Sequence, residues 1–131
     1  MHKKVNKNQD IELYRNRLEV AELIMLTVLD KISVSEALSK FPKDINDINI
    51  KCAFDALMHR EADEDLRRTV ADYKEVQDEL LVNIADALKK NQNLPQNIVS
   101  EYLKYHNQNL ISPEGFSIKN TFDKIKRMIN L

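Results

Sequence analysis

A single glycine, Gly115, in a chain of 131 residues restricts the fold more than any other feature. Tight hairpins and other turns with positive φ draw on glycine, so this chain has little to build them from. Prolines are equally sparse, at positions 42, 95 and 113. Helices joined by short polar loops are what such a composition permits. With 43% hydrophobic residues the chain can bury one core, so the expected fold is all-α. We expect one domain over residues 1–131, an irregular bundle of five or six helices, with residues 1–8 as a frayed tail.

Helical periodicity supports this along most of the chain. From Gln9 to Ile32 the residues Ile11, Tyr14, Leu18, Ala21, Met25, Val28 and Ile32 recur by three and four. This stripe predicts a long helix, widened by Leu23, Ile24, Leu26 and Leu29 into a central element of the core. Glu22 falls inside the stripe, so it is expected at the edge of the core or paired with an arginine. Ser33 and Ser35 are N-cap candidates for a short helix that ends at Phe41-Pro42. A helix-turn-helix is disfavoured, because the turn holds Pro42 and no small residue and because Asp47 and Asp55 occupy the following face.

The segment 48–68 changes direction. Asn46 or Asp47 can cap a helix with Ile50, Ala53, Phe54 and Leu57 on its inner face, which continues into Glu61, Glu64 and Arg68. A second stripe of Ala62, Leu66, Val70, Tyr73, Leu80, Ile84 and Leu88 lies on nearly the opposite side. His59 and Arg60 suit a helix C-terminus, and Asp63, Glu64 and Asp65 suit a first turn, so a break is expected near residues 60–63. The next helix then runs to about Lys90. Beyond the polar loop 91–93, Pro95 opens a helix with Ile98, Val99, Tyr102 and Leu103 on its apolar face. After a second polar loop, 106–109, Ile118, Phe122, Ile125 and Ile129 mark a last helix beginning at about Ser117.

Several function classes lack their motifs. Cys52 is the only cysteine, so it is expected to be a small buried hydrophobe in a reducing cytosol. The N-terminal residues have no apolar signal-peptide region, and the run Leu23–Leu29 is too short to span a bilayer, so a cytoplasmic protein without membrane association is expected. Lys and Arg (20) nearly balance Asp and Glu (21), which gives no general attraction to nucleic acid. A Gly-rich phosphate loop and a Gly-x-Ser-x-Gly elbow are both absent. Neither His59 nor His106 has a Glu three residues before it, as a di-metal carboxylate bundle requires. Tyr73, Tyr102 and Tyr105 read as core and boundary aromatics rather than as base-stacking groups.

One acidic pattern carries more information. Glu61-Ala-Asp-Glu64 is followed by Glu75-Val-Gln-Asp78 and then by the apolar Leu80-Leu81-Val82. Over about twenty residues this resembles the all-α nucleotide pyrophosphohydrolases of the MazG type, which hold Mg²⁺ between a Glu-x-x-Glu and a Glu-x-x-Asp. The resemblance implies Glu61, Glu64, Glu75 and Asp78 as oxygen ligands of Mg²⁺, positioning a water against a phosphoryl group. Glu19-Val-Ala-Glu22 is a further pair of the same form. Arg60 stands where that family usually has a second Glu, and only ten residues separate the two pairs. Read simply as helix-surface acids, the same residues would pair with Arg67, Arg68 and Lys74.

A partner surface is the remaining candidate. The last helix sets Lys119, Lys124, Lys126 and Arg127 beside its apolar stripe, and Lys3, Lys4 and Lys7 form a basic arm. A small, neutral helical protein with no catalytic motif is expected to bind another protein or itself, as a homo-oligomer, without cofactor or catalytic activity. The change of face at residues 59–66 favours self-association, since one copy would have to cover both sides of a long segment. A Mg²⁺-dependent pyrophosphohydrolase and a nucleic-acid-binding accessory protein are the alternatives.

Overall fold

The computed structural model describes residues 7–107. These form six helices and no strand, so the chain is an all-α bundle. The helices are α1 (Lys7–Val28), α2 (Val34–Ser39), α3 (Ile48–Ala62), α4 (Glu64–Thr69), α5 (Tyr73–Lys89) and α6 (Gln96–Asn107). Among the described residues no helix is long and apolar enough to cross a membrane. The expected tail over 1–8 falls almost wholly outside the described residues. So do the last helix from Ser117, its basic residues Lys119, Lys124, Lys126 and Arg127, and Lys3 and Lys4 of the arm.

The shortage of glycine is met by acidic residues and their amides. Asp30, Asp44, Asp72 and Asn91 all take positive φ, between 56° and 67°. Asp and Asn tolerate the left-handed region better than other residues with a Cβ, because their short polar side chains bond locally. Two of these positions stop long helices. After α1, the N–H of Asp30 bonds to Thr27 O at 3.0 Å and that of Lys31 to Leu26 O at 2.8 Å. After α5, Asn91 bonds to Leu88 O at 3.0 Å and Gln92 to Ala87 O at 2.8 Å. Both are Schellman endings with Asp or Asn where glycine usually stands. The first of them ends α1 at Val28, four residues short of the expected Ile32.

The helix starts follow ordinary capping. Ser33 Oγ accepts from Glu36 N at 3.0 Å at the head of α2. Asp47 Oδ1 accepts from Asn49 N at 3.1 Å at the head of α3. The expected break is present at Asp63, between α3 and α4. The single helix expected from there to Lys90 is instead two, because Val70, Ala71 and Asp72 interrupt the ladder, with Asp72 at φ 67°. This second turn lets Tyr73 fold back so that its hydroxyl donates to Asp63 Oδ2 at 2.7 Å.

The core joins all the long helices. Val20, Ile24, Leu57, Tyr73, Leu81, Ile84 and Leu88 are its largest fully buried apolar side chains. α1 makes its main interface with α5, while α3 packs against α1, α2, α5 and α6. Both stripes of the segment 48–88 therefore reach one core. The break at Asp63 makes this possible, and it removes the expectation that a second copy must cover one of those faces.

α1 turns a different side inward from the one expected. Its buried residues are Arg17, Val20, Ala21, Leu23, Ile24 and Thr27, whereas Ile11, Tyr14 and Leu18 are exposed and Met25 and Val28 half-buried. Glu22, expected at the edge of the core or paired, is exposed. The helix is apolar on more than one side, and periodicity alone does not decide which side the other helices cover. The covered side is the one that sets Arg17 against Asp47. Arg17 Nε lies 2.8 Å from Asp47 Oδ2, Nη2 3.3 Å from Oδ1, and Nη1 3.1 Å from Asn91 Oδ1. Asn49 continues the network, donating to Asp47 Oδ1 at 2.9 Å and Asn93 Oδ1 at 3.2 Å and accepting from Leu94 N at 2.8 Å.

Candidate functional site

The acidic residues singled out by sequence lie around the α3–α4–α5 junction. Glu61 is exposed in the last turn of α3, Glu64 is exposed in the first turn of α4, and Glu75 is exposed in the first turn of α5. Asp78 is half-buried one turn further along α5. Its Oδ1 accepts from Arg60, a buried guanidinium, and its Oδ2 accepts from Lys74 Nζ at 2.6 Å. Both oxygens of this carboxylate therefore already hold cations of the protein. Among the described residues no group of three or more His, Cys, Asp and Glu is arranged to hold a metal ion.

Arg60, which in sequence suits a helix C-terminus and departs from the MazG-type pattern, is the centre of a polar cluster. Arg67 Nη1 donates to the Arg60 carbonyl and, at 3.0 Å, to Gln77 Oε1. Burial and the nearby Arg60 charge lower the pKa of Arg67, against the pull of Glu64, Asp63 and Asp78. Burial, together with the hydrogen bond to Asp63, pushes the Tyr73 phenol up. Gln77 is buried, and its Nε2 has no hydrogen-bond partner among the described residues. Beside this cluster, and sharing Arg67 and Lys74 with it, the turn from α4 to α5 leaves an open recess of about 450 Å³ that also includes Arg68, Asp72 and Glu75. Its charges are mixed in sign, as expected of a solvated helix–helix turn. The cluster ties three helices together.

Cys52 is buried, as expected, and burial, with Asp55 and Asp47 nearby, pushes its thiol up to about 12. A thiol so far from ionisation is a packing group rather than a nucleophile.

The outer face of α1 is different in kind. At 100° per residue, Ile11, Leu18, Glu22 and Leu29 fall within about 40° of arc on the side opposite Val20 and Ile24. Ile11 and Leu29 are each 59% exposed and Leu18 37%. Leu29 still belongs to the helical turn, since its N–H bonds to Met25 O at 3.0 Å. Arg15 shares this strip and is exposed, and Met25 and Leu26 flank it half-buried. Tyr14 stands at one edge, its hydroxyl donating to Lys89 O at 3.3 Å across the end of α5. The other large exposed apolar residues, Phe54 and Met58 on α3, Val82 on α5 and Leu103 on α6, are spread over three helices. Phe54 is also held edge-on to the buried Phe41, with ring centroids 5.3 Å apart. Single apolar residues at a surface are ordinary, whereas an aligned row over five helical turns is not.

Comparison with known proteins adds no relative: no family model, no curated protein and no solved structure matches the chain. The likeness to MazG-type enzymes thus stands only on the acidic residues themselves.

Proposed function

We propose that this chain is a non-catalytic protein-interaction module, working in the cytosol, that engages another protein or a second copy of itself through the outer face of α1. The observation that carries this reading is the row Ile11, Leu18 and Leu29, exposed along one side of a helix whose opposite side is fully committed to the core. Burying such a row would contribute about 1.5–3 kcal/mol for each large side chain fully covered. The helix is also anchored in the bundle, through Arg17 and its long contact with α5. A partner would therefore meet a preformed surface and would not have to order it. The buried, un-ionised thiol of Cys52 is consistent with a reducing compartment.

A photo-crosslinking amino acid placed at position 18, in the full chain inside cells, tests the reading. Discrete adducts at position 18, absent when the same group sits at the exposed Glu79 of α5, are expected. No adduct at position 18 would refute it.

A further inference from the structure

We infer that the occupant of the α1 face is a second copy of this chain, laid antiparallel across the first about a two-fold axis beside Leu18. The inference rests on the interaction reading above and specifies its partner. Two charges of opposite sign interrupt the apolar strip, Arg15 and Glu22, seven residues apart and both exposed. Neither forms an ion pair with any described residue, although exposed lysines elsewhere do so within their own helices, as in Lys40–Glu36 at 3.0 Å and Lys90–Asp86 at 3.0 Å. Within one copy, Arg15 and Glu22 stand about 10 Å apart along the helix axis, two helical turns rather than the one turn over which side chains on a helix pair readily.

Symmetry converts that spacing into complementarity. Arg15 and Glu22 are equally far, about 5 Å along the axis, from the point between Leu18 and Glu19. A two-fold rotation about that point reverses the helix direction and carries each Glu22 to the level of the other copy's Arg15. The contact is then isologous, with two Arg15–Glu22 pairs. The same operation sets Leu18 against Leu18 and brings Ile11 level with Leu26 and Met25 of the other copy. A parallel arrangement in register would place Arg15 on Arg15 and Glu22 on Glu22, so charge selects the antiparallel one. Glu19 opposes the association, because the two Glu19 carboxylates approach each other at the rim beside the axis. Arg15, one turn away in each chain, moderates that repulsion.

Light scattering on the eluting full-length protein, across a concentration series, tests the arrangement. The unaltered protein is expected to elute as a dimer that dissociates on dilution. Leu18→Glu should abolish the dimer. Arg15→Glu and Glu22→Arg should each weaken association by about tenfold, since each removes two pairs and introduces like charges. The double variant R15E/E22R should return to within a few-fold of the original, because the reversed pairs still match. Glu19→Gln should tighten association. All these positions are solvent-exposed, so circular dichroism should report unchanged folding for each variant.

A monomer at all concentrations up to millimolar would overturn the inference. So would a dimer in which the single reversals have no effect, or in which the double variant is no better than either single. If the wild type is monomeric while position 18 still crosslinks to other proteins, the interaction reading survives and the second-copy assignment fails. If position 18 yields no adduct and the protein is monomeric, both fail.

Discussion

Arg17 and Asp47, thirty residues apart, meet as a buried forked ion pair at the point where α1, the head of α3 and the loop after α5 come together. Each partner also bonds to an amide, with Asn91 on the arginine and Asn49 on the carboxylate. Such satisfaction matters because a buried charge without its partner is far costlier than an apolar residue in the same place.

Asp47→Ala is therefore expected to destabilise the protein by about 3–5 kcal/mol, since it strands Arg17 and removes the cap of α3. Glu22→Ala, on the opposite side of the same helix as Arg17, should stay within about 0.5 kcal/mol. Urea unfolding at neutral pH would measure both. A loss of less than about 1 kcal/mol for Asp47→Ala would show that the pair is more hydrated than its burial implies.

The same carboxylate makes an acid-sensitive contribution. Burial alone would push Asp47 up, but the hydrogen bonds from Arg17 and Asn49, together with the arginine's charge, outweigh it and hold the group below the usual carboxylate range. A depressed native pKa means stability that is present above the unfolded value, about 3.9, and lost as pH falls through the native value. The urea midpoint should therefore fall on acidification below about pH 4, and less steeply in Asp47→Asn, which cannot titrate there. Equal slopes in the two proteins would assign the acid loss to other carboxylates.

Asp30 ends α1 at φ 57° and its side chain makes no described bond, so glycine should serve better there. Asp30→Gly is expected to stabilise by about 0.5–1 kcal/mol, the relief of left-handed strain less the added freedom of the unfolded chain. Asn91→Gly should gain less, or lose, because it also deletes the acceptor for Arg17. Thermal melts of the two variants would separate these effects; a destabilised Asp30→Gly would count against the strain argument.

Mg²⁺ is expected to leave the melting midpoint unchanged, because Arg60 and Lys74 already hold the oxygens of Asp78. Asp78→Asn should instead cost about 2–3 kcal/mol by leaving the buried Arg60 charge without its counter-ion, while Lys74→Ala, removing an exposed partner, should cost no more than about 1 kcal/mol. A clear rise with Mg²⁺ that is lost in Glu61→Gln and Glu75→Gln would revive the phosphohydrolase alternative.

Much of this architecture was legible in the sequence, and the failures have physical causes. Ser33 or Ser35 and Asn46 or Asp47 mark the two helix starts in sequence, and in the structure Ser33 and Asp47 accept the free N–H groups there. The run of charge around residues 59–65 announced the break at Asp63. The break at Asp72 gave no such notice, since a left-handed aspartate has no residue signature comparable to glycine. On α1 the periodicity was correct and the choice of face was not. Arg17 falls at helical spacing from Val20 and Ile24, but an arginine reads as exposed until its partner, thirty positions away, is known. The row Ile11–Leu18–Leu29 reads as core in sequence for the same reason: two apolar faces compete, and only the tertiary contacts choose between them. The acidic pairs were found easily, yet their fate depended on Arg60, whose burial no local pattern indicates.

The short α4 buries none of its residues, and it is the only covalent link between α3 and α5. Those two helices are also held together by side chains, through the common core and through the Arg60–Asp78 and Tyr73–Asp63 contacts. Scission of the backbone after the exposed Arg68 would thus leave two pieces, one carrying α1 to α3 and the other α5 and α6, each lacking half of a shared interior. Such pieces should remain associated after nicking and reassemble when expressed separately, which would make α4 a natural point at which to divide the protein into a complementing pair.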